Sequence, residues 1–206
     1  MKAILVNGSP RASGNTSLAL KEIEGVLVEE GFQVTTIQVG HLPVRGCLAC
    51  GKCRELGRCV IDDAVNRDAA LFREADAVVF ASPVYYGMAN GTLVSYLQRL
   101  FYSSHIDWRY KVGAAVAVAR RGGLSSTFDE LNKFFSITGM TVAGGQYWNG
   151  VHGRAAGEAK EDIEGLQQMR TLARHIAFLV KATALEKAKE GGLPSDEKPV
   201  YTNFVR

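Results

Sequence analysis

Ala3-Ile4-Leu5-Val6-Asn7-Gly8-Ser9-Pro10-Arg11-Ala12-Ser13-Gly14-Asn15-Thr16-Ser17 is the stretch whose reading decides the fold. The four apolar residues read as a buried strand. Ala19, Ile23, Val26 and Leu27 follow at helical spacing, so the unit is strand, loop, helix. Two glycines (Gly8, Gly14), the hydroxyls of Ser9, Ser13, Thr16 and Ser17, the amide of Asn15 and one guanidinium (Arg11) crowd the loop. Glycine lets backbone N–H groups turn inward, and a helix start adds free N–H groups and partial positive charge. Such a loop suits a phosphate. It lacks the Gly-Lys-Ser/Thr of a triphosphate loop and the Gly-x-Gly-x-x-Gly of a dinucleotide loop, so a single terminal phosphate monoester fits it best. The competing reading is a polar turn that only starts a helix.

The apolar runs that follow set the architecture. Gln33–Val39 is β-branched but polar, as an edge strand is. Ala77–Ala81 and Val112–Ala119 are apolar throughout and belong inside a sheet, and a short fifth strand falls near Met140–Ala143. Helical spacing covers Ala64–Glu74 behind Asp62-Asp63, Thr92–Tyr102, the Leu124/Phe128/Leu131/Phe135 series and about Glu158–Lys189. Strands alternating with helices predict a parallel five-stranded sheet in a three-layer α/β sandwich, order 2-1-3-4-5, with its switch point between strands one and three. Residues 1–190 then form one domain and 191–206 an unpatterned tail. Ligands in such sheets sit at the carboxyl ends of the strands. The first loop, Ser82-Pro83-Val84-Tyr85-Tyr86-Gly87, Arg120-Arg121-Gly122-Gly123 and Tyr147-Trp148 are all expected there, as is the loop carrying the cysteines.

Composition narrows the function. The chain has 206 residues, a net charge of +3 and 47% apolar content, ordinary for a globular domain. No basic stripe interleaved with aromatics suggests nucleic acid. No apolar run is long enough for a membrane span, and the strand at the N-terminus leaves no room for a signal peptide, so a soluble cytoplasmic protein is expected. All four cysteines fall between Cys47 and Cys59, which in a reducing compartment favours metal or redox chemistry over disulfides.

Gly8–Thr16, the Cys47/Cys50/Cys53/Cys59 loop with Asp62-Asp63, and Ser82–Gly87 together resemble the flavodoxin-like NAD(P)H-dependent FMN reductases, in particular their iron–sulfur flavoprotein branch. Gly122-Gly123 and Trp148-Asn149 are weaker matches. The resemblance covers about residues 1–180 and departs at Gln98-Arg99, where Asp-Arg is expected. It implies FMN, with its phosphate in the first loop and its ring against Pro83, Val84, Tyr85, Tyr86 and Gly87. Arg120 or Arg121, with the amides of Gly122 and Gly123, would place positive charge beside the flavin N1–O2 edge and favour the reduced, anionic cofactor.

The spacing Cys47-x2-Cys50-x2-Cys53-x5-Cys59 lets three thiolates wrap one centre while the fourth returns to close it. Within the family this implies a [4Fe–4S] cluster; bare thiols and zinc remain the alternatives. Two functions follow: an oxidoreductase taking hydride from NAD(P)H, or a carrier relaying single electrons to a small-molecule or ferredoxin-like partner. A metal-stabilised binding module is the non-redox alternative. The apolar face around Leu93, Val94, Tyr96, Leu97, Leu100 and Phe101 and the tail Val200–Val205 predict a homodimer or a pair of dimers.

Overall fold

Strands buried on both faces need apolar side chains at every position, and the first, third and fourth apolar runs supply them. In the computed structural model, which describes residues 1–202 and 204, they become the centre of one sheet. In chain order the elements are β1 (Lys2–Asn7), α1 (Asn15–Glu29), β2 (Gln33–Gln38), the single turn α2 (Cys53–Leu56), α3 (Ala64–Glu74), β3 (Ala77–Pro83), α4 (Gly91–Ser103), β4 (Val112–Ala119), α5 (Leu124–Ser136), β5 (Thr141–Val142), β6 (Gly150–His152), a 3-10 turn (Glu158–Glu161) and α6 (Ile163–Glu190). The order is β2-β1-β3-β4-β5, all parallel, as the apolar ranking of the strands predicts.

Side-chain alternation along the strands builds two cores. Ala3, Leu5, Ala77, Val79, Val112 and Val116 face α1 and α6, where Leu20, Ile23, Leu172 and Ile176 meet them. Ile4, Val6, Val78 and Phe80 face Phe72 of α3, Leu93, Tyr96, Leu97 and Leu100 of α4, and Leu131 and Phe135 of α5. Phe80 and Phe135 stack with centroids 4.9 Å apart. Phe135 also lies so close to Gly113 that a Cβ there would meet its ring at 2.4 Å.

Around the sheet edge and on the helices α4 and α6, the structure differs from the sequence reading. The fifth strand is split: β5 pairs only with Val112 and Gly113, and β6 takes up the same edge of β4 at Ala117–Ala119. Buried Asn149 bridges the gap, its Nδ2 donating to Ala115 O at 3.0 Å and its carbonyl accepting from Ala117 N at 3.0 Å. The last helix begins later than Glu158, because Asp162 caps a new start by accepting from Gly165 N. Much of the broad apolar face of α4 is covered by its own chain: Leu93, Tyr96, Leu97 and Leu100 are buried, and Phe101 stacks on Trp108 at 4.3 Å.

In the tail, Asp196 pairs with Arg109 and Val200, Tyr201 and Phe204 are exposed; Asn203, Val205 and Arg206 lie outside the described residues. No helix among the described residues is long and apolar enough to cross a membrane.

Candidate functional site

The loop between β1 and α1 is shaped by backbone bonds at its base. Gly8 N donates to Ala81 O at 2.8 Å, Ser9 N to Asn7 Oδ1 at 2.9 Å and Arg11 N to Ser9 Oγ at 3.1 Å. Beyond Arg11 the pattern changes. Gly14 stands at the N-cap of α1 and can supply no side-chain cap. The N–H groups of residues 12–17 find no acceptor among the described residues. A helix start normally satisfies its first donors by capping, water or a ligand. Ser13 is exposed, Ser17 half-buried, and Ser9 and Thr16 are buried, so hydroxyls stand at both the rim and the floor. Asn15 corrects the sequence reading: its Oδ1 accepts from Gly157 N and Ala159 N, and its Nδ2 donates to Ala155 O. Its carboxamide is committed to the turn before α6, so of its polar groups only the backbone N–H, which has no acceptor among the described residues, is left for a ligand in the loop.

Three residues that the sequence reading passed over hold this loop. Gly40 comes so close that a Cβ would stand 2.2 Å from Ser9 C and 2.3 Å from Gly8 O. Gln38 Nε2 donates to Ser9 O. Buried Asn90 donates through Nδ2 to Gly8 O at 2.7 Å while its Oδ1 caps α4 at Thr92 N. Asn-Gly ahead of an apolar helix was the available signal for Asn90; Gly40 and Gln38 carried none.

After β3 the chain makes a two-residue hairpin: Tyr85 N donates to Met88 O and Met88 N to Tyr85 O, with Tyr86 and Gly87 at φ +53° and +76°. This is the type I′ geometry, which favours glycine at both central positions. Tyr86 bears the strain with a fully exposed ring, and Tyr85 is exposed as well; such strain is a pointer to function. The turn after β4 packs against this hairpin. Ser126 Oγ donates to Gly87 O at 2.6 Å, and a Cβ on Gly123, itself at φ +89°, would meet Val84 at 2.8 Å. Pro83–Gly87 and Arg120–Gly123 are therefore one assembly at the carboxyl edge of the sheet, beside the first loop. Arg11, Arg120 and Arg121 make no close ion pair with a carboxylate among the described residues, though Arg120 lies near enough to Glu158 to help hold that carboxyl below its ordinary pKa, so three cations border this edge with little direct neutralisation. Arg121, Tyr147, Trp148 and His152 line a groove next to it.

The cysteine loop is not at that edge, contrary to expectation. It runs down the flank of α4, where Cys47, Cys50, Cys53 and Cys59 line one small cavity with Arg99, Tyr102 and Ser103. Asn90 and Arg99 are nine residues apart on α4, so the cavity begins about 14 Å along the helix from the first loop. Positive φ at Ala49, Gly51 and Gly57 lets the loop fold on itself. Asn66 holds Cys59 by its backbone, accepting from its N–H and donating to its carbonyl, both at 2.9 Å. Among the described residues no three His, Cys, Asp or Glu side chains are drawn together at metal-binding geometry, although the four cysteines line one cavity.

Arg99, which the sequence marked only as an oddity beside Gln98, organises this region. It is 1% exposed. Its Nη1 and Nη2 grip Asp63 at 2.6 and 3.0 Å, and its Nε and Nη2 donate to Cys59 Sγ at 3.3 and 3.2 Å. Burial works against its charge, but the bonds to Asp63 and Cys59 outweigh it and raise its pKa above the ordinary value. Asp63 also caps α3, accepting from Val65 N. The readable signal for Arg99 was a cation on the buried face of an apolar helix, three residues from Tyr96.

A family model for NADPH-dependent FMN reductases matches residues 1–154. The chain belongs to that family. An iron–sulfur flavoprotein of Methanocaldococcus jannaschii is 35% identical over 189 residues, 88% of this chain and 98% of that protein. One of Methanosarcina thermophila is 32% identical over 191 residues, 88% of this chain and 96% of that protein. Among solved structures, RosB with a bound formylriboflavin phosphate intermediate superposes with a TM-score of 0.69 at 15% identity, covering 99% of this chain and 92% of RosB. An archaeal flavodoxin gives 0.59 at 20% identity, covering 88% and 99%. At these identities the superpositions establish the flavodoxin-like fold alone. As a member of the FMN reductase family, the chain is an FMN-dependent oxidoreductase.

Proposed function

We propose that the chain is an iron–sulfur flavoprotein that exchanges electrons between FMN, a [4Fe–4S] cluster and an external redox partner, either a small molecule or a ferredoxin-like protein. When bound, FMN supplies two-electron and one-electron chemistry and the cluster one-electron chemistry. The hydroxyls of Ser9, Ser13, Thr16 and Ser17 and the free N–H groups of residues 12–17 receive the FMN phosphate, and Arg11 balances its charge. Pro83, Val84, Tyr85, Tyr86 and Gly87 orient the ring through one aromatic face and the backbone of a stiff hairpin. Arg120 and Arg121, with the amides of Gly122 and Gly123, hold positive charge at the polar edge of the ring.

The observation that carries the cluster is that all four cysteines line one cavity. The donor set fits: four thiols, apolar neighbours in Leu48, Val60 and Ile61, and one guanidinium to offset thiolate charge. The names of the two relatives point the same way. Anaerobic purification tests it. The expected result is one FMN and four irons with matching sulfide per chain, and a broad absorbance shoulder beneath the flavin bands. Stoichiometric zinc in protein made with iron available rejects it.

A second reading, an NAD(P)H-dependent flavin or quinone reductase with free thiols, is favoured by the exposure of Cys47 and Cys50. Full NAD(P)H-driven turnover in iron-free protein would establish it. For assembly we propose a homodimer or a pair of dimers, resting on exposed Tyr102, Ile137 and the apolar tail; a monomer by light scattering at micromolar concentration refutes this.

A further inference from the structure

We propose that Arg99, set by Asp63, is the positioning residue that tunes the reduction potential of the group held by the four cysteines, acting through the sulfur of Cys59; the inference rests on the cluster reading above. The arrangement is asymmetric. A guanidinium has five N–H donors in a fixed fork. Here Nη1 and Nη2 reach Asp63, Nε and Nη2 reach Cys59 Sγ at 3.3 and 3.2 Å, and Nη2 also lies 3.1 Å from Ile61 O, so its two hydrogens are shared among three acceptors; Nη1 also reaches Arg45 O at 3.4 Å. Among the described residues no other cysteine sulfur has a cationic donor; Cys47 Sγ accepts only from Ala49 N, at 3.4 Å. One thiol of four is thus clamped by a charge, and that charge is buried.

Burial matters because a guanidinium screened from water acts more strongly on its neighbours than an exposed one. One-electron reduction adds one negative charge to the group on the sulfurs. Positive charge and N–H donors at a ligand sulfur favour that more negative state, so they raise the potential. Asp63 works in the opposite sense: it fixes the fork and offsets part of the charge.

Substitutions at the two positions must therefore shift the potential in opposite directions. Arg99→Gln removes the cation and lowers it. Asp63→Asn leaves the cation uncompensated and raises it, while preserving the cap on α3, since asparagine caps as well as aspartate. Arg99→Lys keeps a charge without the fork and falls between wild type and Arg99→Gln.

The experiment is a dithionite titration of anaerobic holoprotein, followed by electron paramagnetic resonance, with iron, sulfide and FMN determined for each variant. For Arg99→Gln the reduced-to-oxidised ratio at a fixed potential should fall at least tenfold, a shift of about 59 mV for one electron. Asp63→Asn should move it the other way. Potentials that stay put, or that both move in one direction, overturn the proposal. So does a partial loss of iron and thermal stability in which the cluster that remains keeps the wild-type potential, the mark of a purely structural residue. If Arg99→Gln does not retain iron, Asp63→Asn decides alone: an unchanged or lowered potential refutes. Unmutated protein without iron overturns the cluster reading, and this inference with it, before any variant is compared.

Discussion

Replacing Gly40 with alanine asks whether the first loop is held rigidly enough to present its donors to a phosphate. The new Cβ would lie 2.2 Å from Ser9 C and 2.3 Å from both Gly8 O and Ser9 O. Ordinary carbon contacts begin near 3.5 Å, so the gap must open by about 1 Å, and everything in the way is backbone. Retreat is blocked on the far side. Gly8 N is bonded to Ala81 O, Gly8 O to Asn90 Nδ2, and the space at Gly8 is closed by Leu93, which a Cβ there would meet at 2.6 Å.

Overpacking of this kind costs about 1–3 kcal/mol, and one lost buried hydrogen bond adds about 1 kcal/mol. A total of about 2–4 kcal/mol lowers the melting temperature of a domain this size by roughly 5–15 °C. Displaced donors also weaken charge-assisted bonds to the phosphate, so FMN affinity should fall at least about tenfold. Riboflavin, which has no phosphate, should be affected much less. The assay is flavin fluorescence quenching on deflavinated protein with both ligands, paired with thermal unfolding. Gly25→Ala is the control: it is exposed on α1 with no atom within 4 Å of the added Cβ, and should stabilise by roughly 0.5–1 kcal/mol. Wild-type FMN affinity and melting temperature in Gly40→Ala would show that the loop yields freely, and the argument from rigidity would fail.

Replacing Ser13 and Thr16 together with alanine should weaken FMN by about 2–4 kcal/mol and leave riboflavin unchanged in the same titration; equal affinity of the wild type for the two flavins sinks the phosphate assignment. Cys50→Ala should abolish the charge-transfer shoulder and the stoichiometric iron of anaerobic protein while flavin absorbance remains; loss of FMN as well would contradict two separate sites. Asn90→Asp keeps the cap acceptor for Thr92 N but turns an oxygen toward Gly8 O, so FMN should bind at least about tenfold more weakly with the helical circular dichroism intact. Unchanged binding would remove Asn90 from the loop's support.

The central sheet was legible because burial on both faces leaves a continuous apolar run, and β1, β3 and β4 each have one. The loops that end β1, β3 and β4 could be assigned to one edge because a parallel sheet offers no alternative. Other features depend on partners far away in the chain. Gly150-Val151-His152 is too short to read as a strand and becomes one because Ala117–Ala119 has an open edge beside it. Asn15 looked like a ligand because nothing local shows that its amide meets residues 155–159. The cysteine loop was misplaced for a similar reason. Topology fixes where it leaves the sheet, but its resting place is set by the grip of Arg99 on Asp63 and Cys59.

That grip shows why α4 carries so many buried polar groups. Asn90 ties it to the first loop, the Tyr96 hydroxyl donates to Asp68 on α3 at 3.0 Å, and Arg99 ties it to the cysteine loop. Buried polar and ionic groups add little net stability, and apolar replacements of equal volume can be neutral or better. Losing one partner of Arg99–Asp63, by contrast, costs roughly 3–5 kcal/mol. Such pairs are strong against rupture and poor as packing, which suits a role in registration. A loop held only by apolar contacts could slide along the helix; one held by a forked guanidinium cannot. Because a helix rises about 1.5 Å per residue and resists bending, the nine residues from Asn90 to Arg99 set the two sites at a fixed separation that neither loop controls.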